Sequence, residues 1–354
     1  MKTFTYAILL LSGILVVTSC KKNEIESPEN GITQDNSSLA LAAATNLVSL
    51  KITTIAGQPF RTGYADGIGK QALFDHPFGI DLADDGYLYV ADAYNNKIRK
   101  ISLSSNAVTT VNVPNASDGS SISGPYNLRI SKDGTLNIIA DEPHPVWIVK
   151  PDGTVLTPGH APEARLSPDI ERDPSRDFFW MAEVDSKLVN GQISLKAYLK
   201  KFFINSSGTI GTSPLTLDVN AIEEPDRSDF DILDFYPGYN GVKYVVINHT
   251  KLYKLSSTGV FSRIYKDMDF HEIYNIVSSK DSRTLYLAES GQIKCIADGV
   301  HKFLAGPNPT YHDGRDGTGS GADIFADRLA LSKDENTLYF SDINTGTIRK
   351  MQLR

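Results

Sequence analysis

The chain has 354 residues, 41% of them hydrophobic and 22% charged, with a formal net charge of −7 and a pI near 5.5. That acidic balance, with no basic stripe interleaved with aromatics, excludes a general affinity for nucleic-acid phosphates. Only Cys20 and Cys295 are present, so acylation of the first excludes an intrachain disulfide and leaves stability to a buried core.

In chain order, Lys2 and an apolar run from about Ala7 to Val17 precede Val17-Thr18-Ser19-Cys20. A run of roughly a dozen apolar residues is too short to span a bilayer permanently and fits a secretory signal. Residues 1–19 are therefore expected to be cleaved. The small residues before the cysteine resemble the lipobox of bacterial lipoproteins, which implies a lipid on Cys20 and contact with a membrane through it. An ordinary signal peptide with an incidental cysteine is the alternative. Residues 20–48, with Lys, Asn, Glu, Ser and Pro and then a small-residue run, have little to bury and read as a flexible tether. Cys295 lies in the apolar stretch 293–297 and reads as a small buried hydrophobe.

From residue 49 onward, sets of four short strands recur at roughly 45 to 50 residues, separated by polar and glycine turns. The first set is 78–83, 87–91, 97–102 and 107–113, with Asp85-Gly86 at its first turn. The second is 127–131, 136–140, 146–150 and 154–157. A longer, more divergent third set takes 168–172, 178–183, a hairpin near Asn190-Gly191, 195–204 and 209 onward. The fourth is 232–236, 243–247, 251–255 and 260–265, and the fifth 273–278, 284–288, 293–297 and 300–304. The sixth has 329–332, 337–341 and 347–353 and lacks a fourth strand, whereas an orphan strand at 50–57 precedes the first set. Pairing the two closes a ring and removes two exposed edges. The expected fold is an all-β, six-bladed β-propeller over residues 49–354, closed by its N-terminal strand.

The first and last sets also share a motif. Asp66-Gly67-Ile68-Gly69, Leu88-Tyr89-Val90-Ala91-Asp92 and Lys97-Ile98-Arg99-Lys100-Ile101 return as Asp316-Gly317-Thr318-Gly319, Leu338-Tyr339-Phe340-Ser341-Asp342 and Thr347-Ile348-Arg349-Lys350-Met351. Tyr-Val-Ala-Asp followed by Asn95-Asn96-Lys97-Ile98-Arg99 resembles the NHL repeat of six-bladed propellers. The match is close in sets one and six, moderate in two and five and weak in three and four. A lipidated propeller of this kind is similar to extracytoplasmic lipoproteins of Bacteroidetes, often associated with glycan use. The resemblance implies the bacterial cell envelope, at the outer membrane.

Asp92, Asp141, Glu183, Asn248, Glu289 and Asp342 all end a second strand, and a residue repeated in every blade serves the blade. Each is read as an acceptor for backbone N–H groups of the following turn. Ligand groups should instead break the repeat. The long connections 57–77 and 306–328, with a shorter one at 114–125, open on one face. Six of the seven histidines map there: His76, His160, His271 and His312 between blades, His144 and His249 after second strands. Tyr64, Tyr94, Tyr311 and Arg315 are contact groups on these loops, and Arg129 and Arg328 complete the ligand-binding candidates. Convergence of His76 and His271 with Asp81, Asp169 and Asp234 near the axis would suit a divalent metal, calcium or zinc. A water-filled channel with Arg129 paired to a neighbouring acid is the alternative. Glu142-Pro143-His144 could include a general acid or base, but no nucleophile stands beside it.

The leading expectation is a binding module for a glycan, peptide or envelope protein, using the long loops. A metal-dependent lyase or hydrolase at the axis, and a purely structural scaffold, are the alternatives.

Overall fold

Alternating apolar residues joined by tight polar turns make strands that meet as antiparallel neighbours. Six such sheets stand around one axis in the computed structural model, which describes residues 50–354 except 142, 159–163, 174–177, 190–191, 205–209, 223–230 and 240. The protein is an all-β, six-bladed β-propeller, as the strand pattern predicts, and short 3-10 turns are the only helical elements among the described residues.

Blade one is Pro77–Leu82, Tyr87–Asp92, Lys97–Ser102 and Ala107–Val111. Blade two is Asn127–Ile130, Leu136–Ile139, Val146–Val149 and Val155–Leu156. Blade three is Ala164–Arg172, Phe179–Val189, Gln192–Ile204 and Ile210–Leu217, its middle strands longer than the sequence pattern suggests. Blade four is Ile232–Pro237, Lys243–Ile247, Lys251–Leu255 and Phe261–Arg263. Blade five is Ile273–Ser278, Thr284–Glu289, Gln292–Ala297 and Val300–Ala305. Blade six is Ala326–Leu331, Thr337–Asp342 and Thr347–Gln352. The first strand of each blade touches those of its two neighbours, so these strands ring the axis.

Closure follows the orphan strand. Lys51–Ala56 pairs antiparallel with Thr347–Gln352, setting Ile52 opposite Met351 and Thr54 opposite Arg349. The long connections then supply a fifth strand to each seam blade. Gly67–Ile68 lies against Val108 and Ala107, and Gly317–Thr318 against Ile52 and Lys51. The sequence repeat returns here in atoms. Asp66 accepts the N–H and hydroxyl of Thr110 at 3.1 and 3.0 Å, and Asp316 accepts both from Thr54 at 2.8 Å. Gly69 and Gly319 then turn the chain at φ +56° and +52°, a left-handed conformation that favours glycine. Both long connections are thus stapled along outer blade edges, which protects those edges from pairing with another chain.

A separate apolar cluster fills each of the six junctions between blades. At the seam of blades five and six, Ile52, Leu304, Phe340 and Met351 pack together, and Ile348, Leu88 and Ile101 do so between six and one. Burying one such side chain is worth about 1.5–3 kcal/mol, so the junctions supply most of the stabilisation.

Candidate ligand-binding cavity

Four of the six residues that end a second strand are committed to the blade. Asp92 accepts the N–H of Asp75 at 2.8 Å, Asn248 that of Asp231 at 2.9 Å, Glu289 that of His271 at 3.0 Å and Asp342 that of Phe325 at 3.1 Å. The partner in each case precedes the blade's first strand. Asp342 alone of these four also takes an N–H from the following turn, that of Thr345 at 3.2 Å.

Third-strand arginines complete the arrangement in the seam blades. Arg99, with no exposure, gives Nη1 to Asp92 at 2.7 Å and to the Leu73 carbonyl at 3.0 Å. Its Nη2 goes to Asp66 at 2.6 Å and to the Ala65 carbonyl at 2.7 Å. Arg349 does the same in blade six, donating to the carbonyls of Gly314 and Asp323 and lying 3.3 Å from Asp342. Burial pushes the carboxyls of Asp92 and Asp342 upward, against the pull of these arginines and N–H groups.

The loop face carries aromatic pairs rather than a converging site. His76 stacks on Tyr94 at 3.9 Å between ring centres and bonds Asp75 through Nδ1 at 2.8 Å. Tyr64 bonds Thr110 through its hydroxyl at 3.0 Å, and the Arg315 guanidinium covers Tyr311 at 3.9 Å. His144 bonds Asp118 at 2.8 Å, while His271 and His312 are exposed. Arg328 bridges to the Tyr274 carbonyl of blade five. No group of three His, Cys, Asp or Glu able to hold a metal ion occurs among the described residues. Cys20, Glu142, His160 and the side chain of Asp169 lie outside the described residues.

A cavity of about 310 Å³ opens at the other end of the first strands, lined by all six blades. Arg129 forms its floor. Its Nη1 donates to the Leu128 carbonyl at 2.7 Å and to Asn127 at 3.0 Å, and its Nη2 pairs with the buried Glu171. Asp81 accepts the Ile130 N–H at 2.7 Å while Arg172 donates to the Ile130 carbonyl at 2.9 Å, so blades one and three grip one residue of blade two. Asp234 makes the equivalent stitch from blade four, accepting from Ile276 N–H and Asn275 of blade five at 2.7 and 2.9 Å. Asp81 and Asp234 thus join inner strands, and of the axial candidates Asp81 and Arg129 line the cavity.

The mouth is built by the first turns of the blades. Asp84 of blade one pairs with Lys333 of blade six at 2.6 Å, which holds the Asp84 carboxyl below its ordinary range. Lys280 of blade five gives its N–H to Glu335 at 2.5 Å and its ammonium to the Lys333 carbonyl. Asp173 and Lys132 add one charge of each sign, and Tyr236 and Tyr239 supply aromatic surface. Burial pushes both phenols upward, so they remain hydroxyl donors near neutrality.

Sequence reasoning passed over these mouth residues, although a signal exists. The turns read Ala83-Asp84-Asp85-Gly86, Ser131-Lys132-Asp133-Gly134, Ser279-Lys280-Asp281-Ser282 and Ser332-Lys333-Asp334-Glu335. The third residue of each closes its own turn, as where Asp133 accepts the N–H of Thr135 at 2.9 Å, and the residue before it stands at the mouth. What can bind here is small, polar and uncharged overall. Asp81, Asp84, Glu171, Asp173 and Glu335 are matched by Arg129, Lys132, Arg172, Lys280 and Lys333. The volume is at the lower end of the ~300–1,000 Å³ usual for ligand sites.

No family model matches the chain. Over 89 residues, 23% of the chain, it is 35% identical to Protein SUPPRESSOR OF QUENCHING 1, chloroplastic, of Arabidopsis thaliana; the match spans 8% of that protein. Among solved structures it is similar to a protein of unknown function from Bacteroides thetaiotaomicron, with a TM-score of 0.62 and 16% identity over 86% of this chain and 76% of that one. An auxiliary nutrient binding protein from the same species gives a TM-score of 0.60 and 14% identity over 85% and 76%. Streptogramin B lyase gives 0.53 and 14% over 87% and 99%. Likenesses at these identities are likenesses of fold, and what they define is a six-bladed β-propeller with relatives in shape among Bacteroides propellers.

Proposed function

We propose that the protein is a binding module of the bacterial cell envelope, an NHL-type propeller tethered through a lipid on Cys20, that takes a small neutral polar ligand such as a saccharide into the axial cavity. The observation that carries this reading is the charge-balanced cavity of about 310 Å³ to which every blade contributes. Paired carboxylates and cations offer hydroxyl groups both acceptors and donors, while a net charged ligand would meet an equal number of opposing groups. Tyr239, 43% exposed, supplies a ring at the mouth for an apolar sugar face. The auxiliary nutrient binding protein of similar fold supports a binding role. The long loops contribute less, because Arg99 and Arg349 hold them against the blades.

The test is calorimetric titration of the full-length protein with a panel of neutral mono- and disaccharides and dipeptides, repeated with Tyr239→Ala and Lys280→Ala. A loss of about tenfold in affinity, or ~1.4 kcal/mol, is expected in each variant for any ligand that binds. Unchanged affinity in both variants, or no binding by any member of the panel, would remove the cavity as the site.

A further inference from the structure

We propose that the groove on the outside of the ring between blades one and two binds an acidic polysaccharide. Two adjoining hollows of about 470 and 430 Å³ share Thr110, Val111 and Asn112, forming one groove along the outer strand of blade one. Its shape suits a chain rather than a compact solute. Its charge is distinctive in an acidic protein. Lys97 lines one half and Lys100 and Lys150 the other, while no carboxylate lines either, against a net charge of −7 for the chain. Asp66, the carboxylate bound to Thr110, accepts from Arg99 at 2.6 Å, an arginine it shares with Asp92.

The amides in this groove are held ready by the fold. Asn95 donates to the Gly63 carbonyl at 2.8 Å, Asn96 accepts the Gly124 N–H at 2.7 Å and Asn115 donates to the Gly119 carbonyl at 3.1 Å. Each bond fixes one end of an amide, and Asn95 gives its Nδ2 to Asp92 as well at 2.9 Å. Asn112 is exposed and has no side-chain partner among the described residues. Amides fixed before binding lose little entropy, and their donor and acceptor ends match the hydroxyls of a sugar chain.

An acidic peptide would satisfy the lysines equally, but the backbone route to a peptide is obstructed. Gly67–Ile68 already pairs with the outer edge at Val108 and Ala107, and Asp66 occupies the N–H of Thr110. Recognition is left to side chains, which favours the hydroxyl-rich ligand over strand addition.

The experiment titrates the full-length protein in detergent with tetragalacturonate, neutral galactotetraose and tetraglutamate at low and high salt. Tetragalacturonate should bind, more weakly as salt rises, and a Lys97→Gln/Lys150→Gln variant should lose about tenfold in affinity with an unchanged melting temperature. Tyr239→Ala in the axial cavity should leave this binding intact, which separates the groove from the cavity. Failure of tetragalacturonate to bind, equal binding of the neutral tetrasaccharide or of tetraglutamate, or no loss in the double variant overturns the proposal.

Discussion

Replacing Arg99 with methionine keeps a long side chain in place but removes the charge that answers Asp92, and both residues are without solvent exposure. The change strands a buried carboxylate and takes one of two donors from the carbonyls of Ala65 and Leu73, which keep each other's backbone N–H. Breaking a buried pair from one side costs about 3–5 kcal/mol, far more than the pair is worth relative to an apolar replacement. For a domain of this size that corresponds to a drop of roughly 6–15 °C in melting temperature. Circular dichroism melts at neutral pH measure it. Arg99→Met/Asp92→Leu should recover part of the loss, because the stranded charge is gone. The pH dependence has a definite sign. Asp92 already titrates above its ordinary value of 3.8 in the folded protein, and losing Arg99 raises it further. The folded state then binds more protons than the unfolded one over the interval above that value, so stability falls as pH rises through it. The gap between variant and wild type should therefore be narrow near pH 4 and wide at pH 7. A shift under about 2 °C at neutral pH, or a gap that widens in acid, refutes this account of the pair.

Three further outcomes follow from the same geometry. Ile52→Ala empties a fully buried position at the ring's seam and should cost about 2–5 kcal/mol in chemical denaturation, more than a truncation on an exposed loop. Gly291→Ala would set a methyl 2.5 Å from the Phe325 ring at a φ of +77°, so it should lower the melting temperature by several degrees, whereas Gly299→Ala at φ +78° meets no neighbour and should cost less. Asp84→Asn removes an acid held low by Lys333; that stabilisation is present above 3.8 and lost as pH falls through the lower folded value. Because Lys333 is largely exposed, the effect at neutral pH should stay under about 1 kcal/mol and shrink in high salt, as paired denaturation curves would show.

Much of the architecture was legible because a repeat writes the same local physics several times. Period-two alternation located the strands of blades one, two, four, five and six, and the match between 50–57 and the fifth blade's last strand foretold the closure that Ile52 and Met351 make. Asp92 and Asp342 were recognisable as structural acceptors because they recur. The sequence did not reveal that their main backbone partners precede the first strand, since that contact joins residues 17 apart across a bend. Blade three departs most from the repeat, and there the strand lengths escaped the pattern.

Alternation along a strand tells which side chains share a face and which end of the sheet a turn occupies, and those assignments needed only the residues themselves. The cavity required the angle and spacing at which six sheets meet. Arg129 and Glu171 stand 42 residues apart, and Asp84 and Lys333 come from opposite ends of the ring's chain, so their pairing depends on packing at the blade junctions. The irregular loops lie on the opposite face, where Arg99 and Arg349 hold them down. The amide-lined groove was hidden for the same reason, because its lining joins the turn at Asn95 and Asn96 to the outer strand and to the connection at Asn115 and Ile122.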